Sequence, residues 1–136
     1  ALIRYASPHI NDVSAAGGCG IHLEGYPEFP VRWTLIRHNH VHENEGGGIC
    51  LGAEANYNRV FGNKACDNGA DGLLIVGHHN GIRRNLACDN EGNGIVVEGN
   101  HNGIFWNRAF ENDDLDLKDK GTDNRWRRNR HGTDNW

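Results

Sequence analysis

Histidine and aspartate residues are the first candidates for chemistry in this chain. His79, His101 and Asp123 follow one another at equal intervals in the sequence. Two imidazoles and a carboxylate bind zinc when they converge, so a fold with this repeat would make the three residues a candidate metal site. A second group alternates along the chain, which would put its members on one side of a strand: His38, His40 and His42. Exposed histidines without a ligand are the simpler interpretation, and we assign no metal.

Charged residues near the end of the chain form a further group. Four aspartates lie close in sequence to two lysines: Asp113, Asp114, Asp116, Asp119, Lys118 and Lys120. Solvated loop charges are the simplest interpretation of such a run. A serine hydrolase with a Gly-x-Ser-x-Gly element is excluded, because Ser7 and Ser14 are the only serines and neither lies in that element.

Arginine and aromatic residues recur at nearly the same interval. One column contains Arg37, Phe61, Arg83, Phe105 and Arg127, and its neighbour contains His38, Gly62, Arg84, Trp106 and Arg128. Aromatic rings stack on sugar rings, and guanidinium groups pair with carboxylates or sulfates. The predicted ligand-binding residues are Arg37, Arg83, Arg84, Phe105, Trp106 and Arg128. A surface whose arginine stems cover apolar neighbours explains the same columns equally well.

Asparagine marks the repeat that sets these intervals. Three columns run through the chain: Asn58, Asn80, Asn102 and Asn124; Asn63, Asn85, Asn107 and Asn129; and Asn68, Asn90 and Asn112, with Asp134 in the next place. Asparagine tolerates left-handed backbone at a bend, and its amide can bond to the asparagine of the next turn. Turns stacked about 4.8 Å apart would therefore carry ladders of amides.

Apolar residues between the asparagines alternate as half-buried strands require. The predicted inward residues of the first strand are Ile21, Ile49, Leu73, Ile95 and Leu115, followed by Leu23, Leu51, Ile75, Val97 and Leu117. Those predicted to face outward between them are His22, Cys50, Leu74, Val96 and Asp116. Two further strands would turn inward Ile36, Val60, Ile82, Ile104 and Trp126, and then Val41, Ala65, Ala87 and Ala109. Stacked turns would bury a core that no single turn could bury, and Trp126 would plug the last turn.

The composition agrees with a coil of strands. Hydrophobic residues make up 37%, while 19 glycines and 18 asparagines disfavour a helical bundle. The net charge of −4 divides into +3 over residues 120–136 and −7 elsewhere. A basic end can grip polyanions, but a solvated face is the simpler interpretation, and no nucleic-acid partner is expected. No apolar run is long enough to span a membrane. The strand-like opening and the absence of methionine predict a processed or trimmed piece.

The pattern N-x-I-x-x-N-x-A-x-x-N-x-x-x-G-I-x-L resembles the repeats of the pectate-lyase-like superfamily, especially NosD-type periplasmic and secreted proteins. It is carried by Asn58-Arg59-Val60, Asn63-Lys64-Ala65, Asn68 and Gly72-Leu73, and by two later copies. The resemblance implies an all-β, single-stranded right-handed parallel β-helix with about five turns of roughly 22 residues and three short strands per turn. Within a single domain, 1–136, the predicted turns are 1–16 (partial), 17–44 (long, with a loop insertion at 26–33), 45–68, 69–90 and 91–112 (regular), and 113–136 (closing).

This resemblance leaves the chemistry open. Lyases of the superfamily use carboxylates that hold calcium and an arginine or lysine base, so the candidates for an enzyme are Asp114, Asp116, Lys118, Arg83 and Arg84, with calcium as a possible cofactor. The apolar middle of the outward column argues against a catalytic cleft, and no catalytic residue is assigned. We expect an extracellular or periplasmic, non-catalytic module that binds a polysaccharide or cell-surface glycan or acts as a scaffold. The alternatives are a lyase or hydrolase of acidic glycans and a structural subunit that self-associates head to tail into a fibre.

The four cysteines allow more than one interpretation. Cys66 and Cys88 occupy equivalent places on adjacent turns and would lie within disulfide range. Stacked cysteines also remain reduced as small apolar residues, and Cys19 and Cys50 do not share a column. The state of all four is left unassigned, with a Cys66–Cys88 bridge as the less favoured alternative.

Overall fold

A computed structural model describes residues 11–135. The chain winds through three sheets, each made of parallel strands. Sheet 1 contains β2 (Ile21–Leu23), β5 (Ile49–Leu51), β8 (Leu73–Ile75), β11 (Ile95–Val97) and β14 (Leu117–Asp119). Sheet 2 contains β3 (Leu35–Arg37), β6 (Arg59–Phe61), β9 (Gly81–Arg83), β12 (Gly103–Phe105) and β15 (Arg125–Arg127). Sheet 3 contains β1 (Asp12–Val13), β4 (His40–Val41), β7 (Lys64–Cys66), β10 (Leu86–Cys88), β13 (Arg108–Phe110) and β16 (Arg130–His131). The predicted all-β parallel solenoid is confirmed.

The spacing of the turns follows the asparagine repeat. The hydrogen bonds that join successive asparagines of one ladder, from Asn11 to Asn85, span 28, then 24, then 22 residues. Five strands in sheet 1 enclose about four complete turns, slightly fewer than the five predicted. The longest interval contains the loop at 26–33, in which Tyr26 and Phe29 form an antiparallel bridge.

Aliphatic side chains fill the space between the three sheets. The inward residues of the second and third strands lie where the sequence predicted them, and Ile36, Val60, Ile82 and Ile104 are fully buried. Alanine occupies the third strand in three successive turns (65, 87 and 109), which leaves room for the larger residues of the other two sheets. Trp126 continues the column of Ile104 and packs against the core at its last turn, as predicted.

The asparagine side chains form the predicted ladders. The backbone N–H of Asn80 donates to Oδ1 of Asn102 at 2.7 Å. Asn85 Nδ2 donates both to Oδ1 of Asn107 at 3.0 Å and to the carbonyl of Val60 at 2.9 Å. Each buried amide therefore provides hydrogen-bond partners for backbone N–H and C=O groups at a corner, where the pairing between strands ends.

The sequence analysis expected the asparagine at each corner to be left-handed, but the left-handed residue is the one before it. Ala15 and Trp33 are the exceptions, since Ala16 and Thr34 follow them. Among residues 11–135, fourteen non-glycine residues have φ between 52° and 61°, and no asparagine is one of them. A positive φ bends the chain sharply at one residue, where it passes from one sheet to the next, and the side chain of the following asparagine points inward. The chain accepts an intrinsic cost of roughly 1–2 kcal/mol at each such position, which the buried amide network offsets.

These left-handed residues stack into three ridges that we name by their chemistry. The aromatic ridge, between sheets 1 and 2, contains Trp33, Tyr57, His79, His101 and Asp123. The arginine ridge, between sheets 2 and 3, contains His38, Gly62, Arg84, Trp106 and Arg128. The acidic ridge, between sheets 3 and 1, contains Ala15, Glu43, Asp67, Asp89 and Glu111. His38 therefore does not lie on one strand face with His40 and His42, because the chain turns at His38 itself.

The predicted register of the closing turn is wrong by two residues. Ile95 pairs with Leu117, not with Leu115, and Val97 pairs with Asp119. Asp116 falls in the column of Gly48, Gly72 and Gly94 and is buried rather than outward-facing, with 3% of its surface exposed.

The Asp116 carboxylate ends the third asparagine ladder in place of Asp134. Its Oδ1 accepts Nδ2 of Asn112 at 2.7 Å, and its Oδ2 accepts the N–H groups of Gly132 and Thr133, each at 2.9 Å. Burial by itself raises the pKa of Asp116, but the Asn112 side chain and the backbone N–H groups of Thr133, Asn112 and Gly132 together hold that pKa below its ordinary value.

Two further outward residues of sheet 1 are also buried, contrary to prediction. Cys50 is 5% exposed because it forms a disulfide with Cys19. Val96 is 1% exposed and lies between the longer side chains of Leu74 and Lys118 on the adjacent turns.

Candidate ligand-binding face

The outer surface of sheet 2 brings together the predicted arginine and aromatic column. The register pairs Arg37 with Phe61, Phe61 with Arg83, Arg83 with Phe105 and Phe105 with Arg127. Since side chains alternate along a strand, the inward Ile36 and its equivalents direct this whole column outward. Cationic and aromatic side chains therefore alternate along the axis at the spacing of one turn, about 4.8 Å.

Direct contacts run along the column and along the arginine ridge, and Phe105 and Trp106 join the two. The guanidinium carbon of Arg83 lies 5.1 Å from the ring centre of Phe105, and that of Arg128 lies 5.7 Å from Trp106. The rings of Phe105 and Trp106 are tilted against each other at 6.0 Å. Of the six predicted ligand-binding residues, Arg37, Arg83 and Phe105 lie on the sheet, and the other three lie on the ridge beside it. The six thus share one side of the molecule.

The aromatic ridge forms the opposite border of this face. Tyr57 stacks on Trp33 at 5.5 Å and on His79 at 4.9 Å, and His79 stacks on His101 at 5.0 Å. Trp33 is 66% exposed and Tyr57 is 41% exposed, so both offer ring surface to a ligand. The sequence analysis selected neither residue. The long first turn displaced Trp33 from the regular interval of the repeat, whereas Tyr57 keeps that interval, 22 residues before His79, and could have been found from the repeat.

A groove of about 690 Å³ runs between the two borders. Its charged or titratable lining residues, within the part of the chain that the structure describes, are Arg37, Arg59, Arg83, His38, His79 and Tyr57. No carboxylate lines it among residues 11–135, although the chain as a whole carries a net charge of −4.

Gly81 leaves the floor of the groove open. A Cβ built on this residue would meet nothing closer than the Arg59 side chain at 4.0 Å, and Gly81 is not among the residues with positive φ. Packing and backbone conformation therefore do not require glycine here, in contrast to Gly72 and Gly94. At the equivalent Gly103, the ring of Phe105 covers the backbone.

The proposed metal residues lie together on the aromatic ridge without converging. The rings of His79 and His101 are nearly parallel, with 10° between their planes, and His101 Nδ1 lies 3.9 Å from Asp123 Oδ2. Such an arrangement is a face-to-face stack with a terminal carboxylate. His38 instead packs its ring edge-on against Phe61 at 5.6 Å.

The candidate catalytic residues are divided between faces. Arg83 lies in sheet 2 and Arg84 on the adjoining ridge, whereas Lys118 lies in sheet 1. Asp114 is exposed, and both oxygens of Asp116 accept hydrogen bonds from the closing turn.

Two disulfides join neighbouring turns. Cys66 bonds to Cys88, directly opposite in the sheet 3 register, which confirms the less favoured alternative. Cys19 bonds to Cys50 across the long first turn, a pairing that the sequence analysis did not find.

Comparison with known proteins supports the fold. The family model described as right handed beta helix region matches residues 4–130. Comparisons with curated proteins and with solved structures found no match. A search of the described residues for a helix long and apolar enough to cross a membrane found none. With nearly its whole length matched and its sheets wound as the repeat requires, the chain belongs to the right-handed β-helix family.

Proposed function

We propose that this protein is a secreted, non-catalytic module that binds acidic glycans along the outer face of sheet 2. The observation that carries the proposal is the alternating column of arginine and aromatic residues beside a groove that no described carboxylate lines. Guanidinium groups form strong paired hydrogen bonds with carboxylates and sulfates. The aromatic rings between them suit the apolar faces of sugar rings.

The groove supplies a place where a single sugar unit can enter. Gly81 forms an open floor, with Tyr57 and His79 on one side and Arg83 on the other. Arg37 and Arg83 are two turns apart, about 9.6 Å along the axis, given a rise of about 4.8 Å for each turn. Acidic groups repeated along a polymer could therefore meet successive arginines, which favours a chain over an isolated monosaccharide.

Two further observations support the location and the chemistry. Disulfides persist mainly in oxidising compartments, and the chain has two. The chain is acidic overall, but arginines line this groove. This charge distribution would orient a polyanion toward the groove.

The test is a calorimetric titration with polygalacturonate and with its fully methyl-esterified form, which keeps the backbone but neutralises the carboxylates. We expect measurable binding of the acidic polymer alone, and weaker binding as salt is raised. Arg83→Ala should lower the affinity about tenfold or more, since hydrogen bonds to charged groups contribute about 1.5–3 kcal/mol. Gly81→Phe should also abolish binding by filling the groove.

Arg108→Ala is the matched control. Arg108 lies on the outer face of sheet 3, and its guanidinium carbon lies 5.6 Å from the Phe110 ring, a pairing like that of Arg83 and Phe105. Its removal should leave glycan affinity unchanged. Equal binding of the esterified polymer, equal loss in Arg108→Ala, or equal binding of a single-stranded oligonucleotide of the same charge would contradict the proposal. Formation of unsaturated sugar products, followed by ultraviolet absorbance, would show a lyase instead.

A further inference from the structure

The outer face of sheet 3 gathers a second set of polar side chains, away from the glycan-binding face. Strand β1 pairs with β4 so that Asp12 lies opposite His40. Because side chains alternate about the inward Val41, His40 and His42, which directly follows β4, point to the same outer side. The chain therefore brings one carboxylate and two imidazoles together across the first two turns.

The possible ligand atoms of these residues converge. Nε2 of His42 lies 2.7 Å from Oδ1 of Asp12, and Nδ1 of His40 lies 3.5 Å from the same oxygen. One ligand atom from each of the three residues lies within 4.8 Å of the other two. Two atoms bonded to one ion in tetrahedral geometry at about 2.0–2.2 Å lie about 3.3–3.6 Å apart. The His40 and Asp12 atoms already have this separation, and the His42 and Asp12 atoms need to move apart by less than about 1 Å.

A second carboxylate supports the orientation of His42. Its Nδ1 lies 3.5 Å from Oε1 of Glu43, on the side of the ring opposite Nε2. A histidine that ligates a metal through one nitrogen commonly directs the other to a carboxylate. The rings of His40 and His42 also stack at 4.4 Å, and the His42 side chain is only 19% exposed, so its position is restricted.

We propose that Asp12, His40 and His42 form a binding site for a divalent transition-metal ion such as Zn²⁺. Two imidazole nitrogens and one carboxylate oxygen suit such ions, whereas Ca²⁺ and Mg²⁺ prefer oxygen ligands alone. The nearest cysteine in the column, Cys66, is held in a disulfide and supplies no thiolate. Water completes the coordination.

The surrounding charges permit the ion to bind. Lys64 lies opposite His40 on the next turn and adds one positive charge, while Asp12 and Glu43 supply two negative charges. The bound ion would link β1 to β4, and so would fasten the first described strand of sheet 3 to the remainder of the coil. This inference is independent of glycan binding, which concerns sheet 2.

The test uses the whole, untagged chain, because an affinity tag of histidines would itself bind the probe. Isothermal titration with ZnCl₂, with CaCl₂ in parallel, should show one zinc ion for each chain and no calcium binding at the same concentrations. Zinc should raise the midpoint of thermal unfolding, since the ion binds the folded chain. Asp12→Asn can retain a hydrogen bond to His42 but loses the charge, and should abolish tight zinc binding without altering the circular dichroism.

Single substitutions test which residues bind the zinc ion. His42→Ala should abolish zinc binding, and Glu43→Gln should weaken it by about 10–100-fold, the usual effect of removing a supporting carboxylate. His79→Ala serves as the control, since it removes one of a stacked histidine pair elsewhere, and should bind zinc as the unmodified chain does. No zinc binding by the unmodified chain, or undiminished binding by Asp12→Asn and His42→Ala, would overturn the proposal and leave a hydrogen-bonded His–Asp pair.

Discussion

At the scale of single residues, two kinds of position make each corner. A left-handed residue turns the chain, and the asparagine after it fills the corner with an amide. The sequence predicted the second role from the Asn columns but assigned the left-handed conformation to the same residue. The true left-handed positions carry residues as different as Trp33, Arg84 and Asp89, so their side-chain types gave no signal of the backbone.

Removal of one ladder amide should destabilise the coil strongly. Asn85 Oδ1 accepts the N–H of Asn63, and Nδ2 donates to the carbonyl of Val60, all in a buried corner. We expect Asn85→Ala to lower the free energy of unfolding by about 2–4 kcal/mol, because each buried group left without a partner costs about 1–3 kcal/mol. Urea denaturation measures this. Asn11→Ala, at an exposed end of the same ladder, should cost less than about 1 kcal/mol, and equal losses would contradict the role of burial.

The backbone at Arg84 can be separated from its side chain. Arg84 has φ of 54° and is exposed. Glycine adopts this conformation without steric cost, so we expect Arg84→Gly to be more stable than Arg84→Ala by about 1 kcal/mol. Chemical denaturation of both variants provides the comparison. Arg59 lies in strand β6, so there we expect the Ala variant to be more stable than the Gly variant. The same order of stability at both positions would contradict the explanation.

At the scale of the elements, strands of three residues are too short to be stable alone, and glycine at their ends lets the turns approach. A Cβ on Gly94 would lie 2.5 Å from the carbonyl oxygen of Asp116 and 2.7 Å from Asn112 Nδ2. The sequence predicted the strands well, because inward residues repeat at the interval of the asparagines. It misplaced the last strand because Leu115 and Leu117 both fit an inward position. A shift of two residues preserves the alternation of faces.

Glycine is therefore required at Gly94 and dispensable at Gly81. We expect Gly94→Ala to destabilise the protein by about 3 kcal/mol or more, since the added methyl group meets backbone on the adjacent turn. Gly81→Ala should be tolerated within about 1 kcal/mol, because its Cβ would enter open space. Thermal unfolding of the two variants measures the contrast. A Gly94→Ala protein as stable as Gly81→Ala would show that the turns can separate.

The closing turn should weaken in acid through Asp116. Its pKa is lower in the folded chain than the ordinary value, so its contribution to stability is complete above about pH 4. That contribution is lost as the pH falls through the folded-state pKa. Asp116→Asn should be less stable at pH 7 by about 1–3 kcal/mol, because its NH₂ group would face the N–H groups of Gly132 and Thr133.

Urea denaturation at pH 7 and pH 3 tests this role. Asp116→Asn should lose less stability between the two values than the unmodified chain. The exposed Asp114, changed to Asn, should behave as the unmodified chain does. An unaltered acid dependence in Asp116→Asn would assign the acid sensitivity to other carboxylates.

At the scale of the whole molecule, each turn rests on its neighbours, and covalent links reinforce two of these junctions. Because Cys66 and Cys88 occupy equivalent places on adjacent turns, the sequence predicted that they would lie close enough to form a disulfide. The Cys19–Cys50 link could not be predicted in the same way, because the loop at 26–33 lengthens the turn between them. The column of arginine and aromatic residues on sheet 2 could be predicted from the regular repeat, whereas the position of Trp33 on its border depended on how that irregular turn folds.

Both disulfides should contribute to stability. Loops of 22 and 31 residues predict roughly 3–4 kcal/mol for each bond from the restriction of the unfolded chain. The Cys66→Ala/Cys88→Ala and Cys19→Ala/Cys50→Ala double variants should each unfold at lower urea concentration, and reductant should lower the midpoint of the unmodified chain further than either. An unchanged midpoint in reducing buffer would mean that the packed turns alone determine stability.

The separation of the three ridges also gives the coil two chemically different edges. Arginine projects along one edge, and carboxylates from Glu43 to Glu111 project along another. A coil polarised across its width would turn about the coil axis as it nears a negatively charged matrix, so that the arginine-bearing edge would meet the matrix first. Under the proposed function, molecules held in this orientation would expose their carboxylates to the solvent, which would repel a second layer of the same acidic polymer and favour a coating one molecule thick.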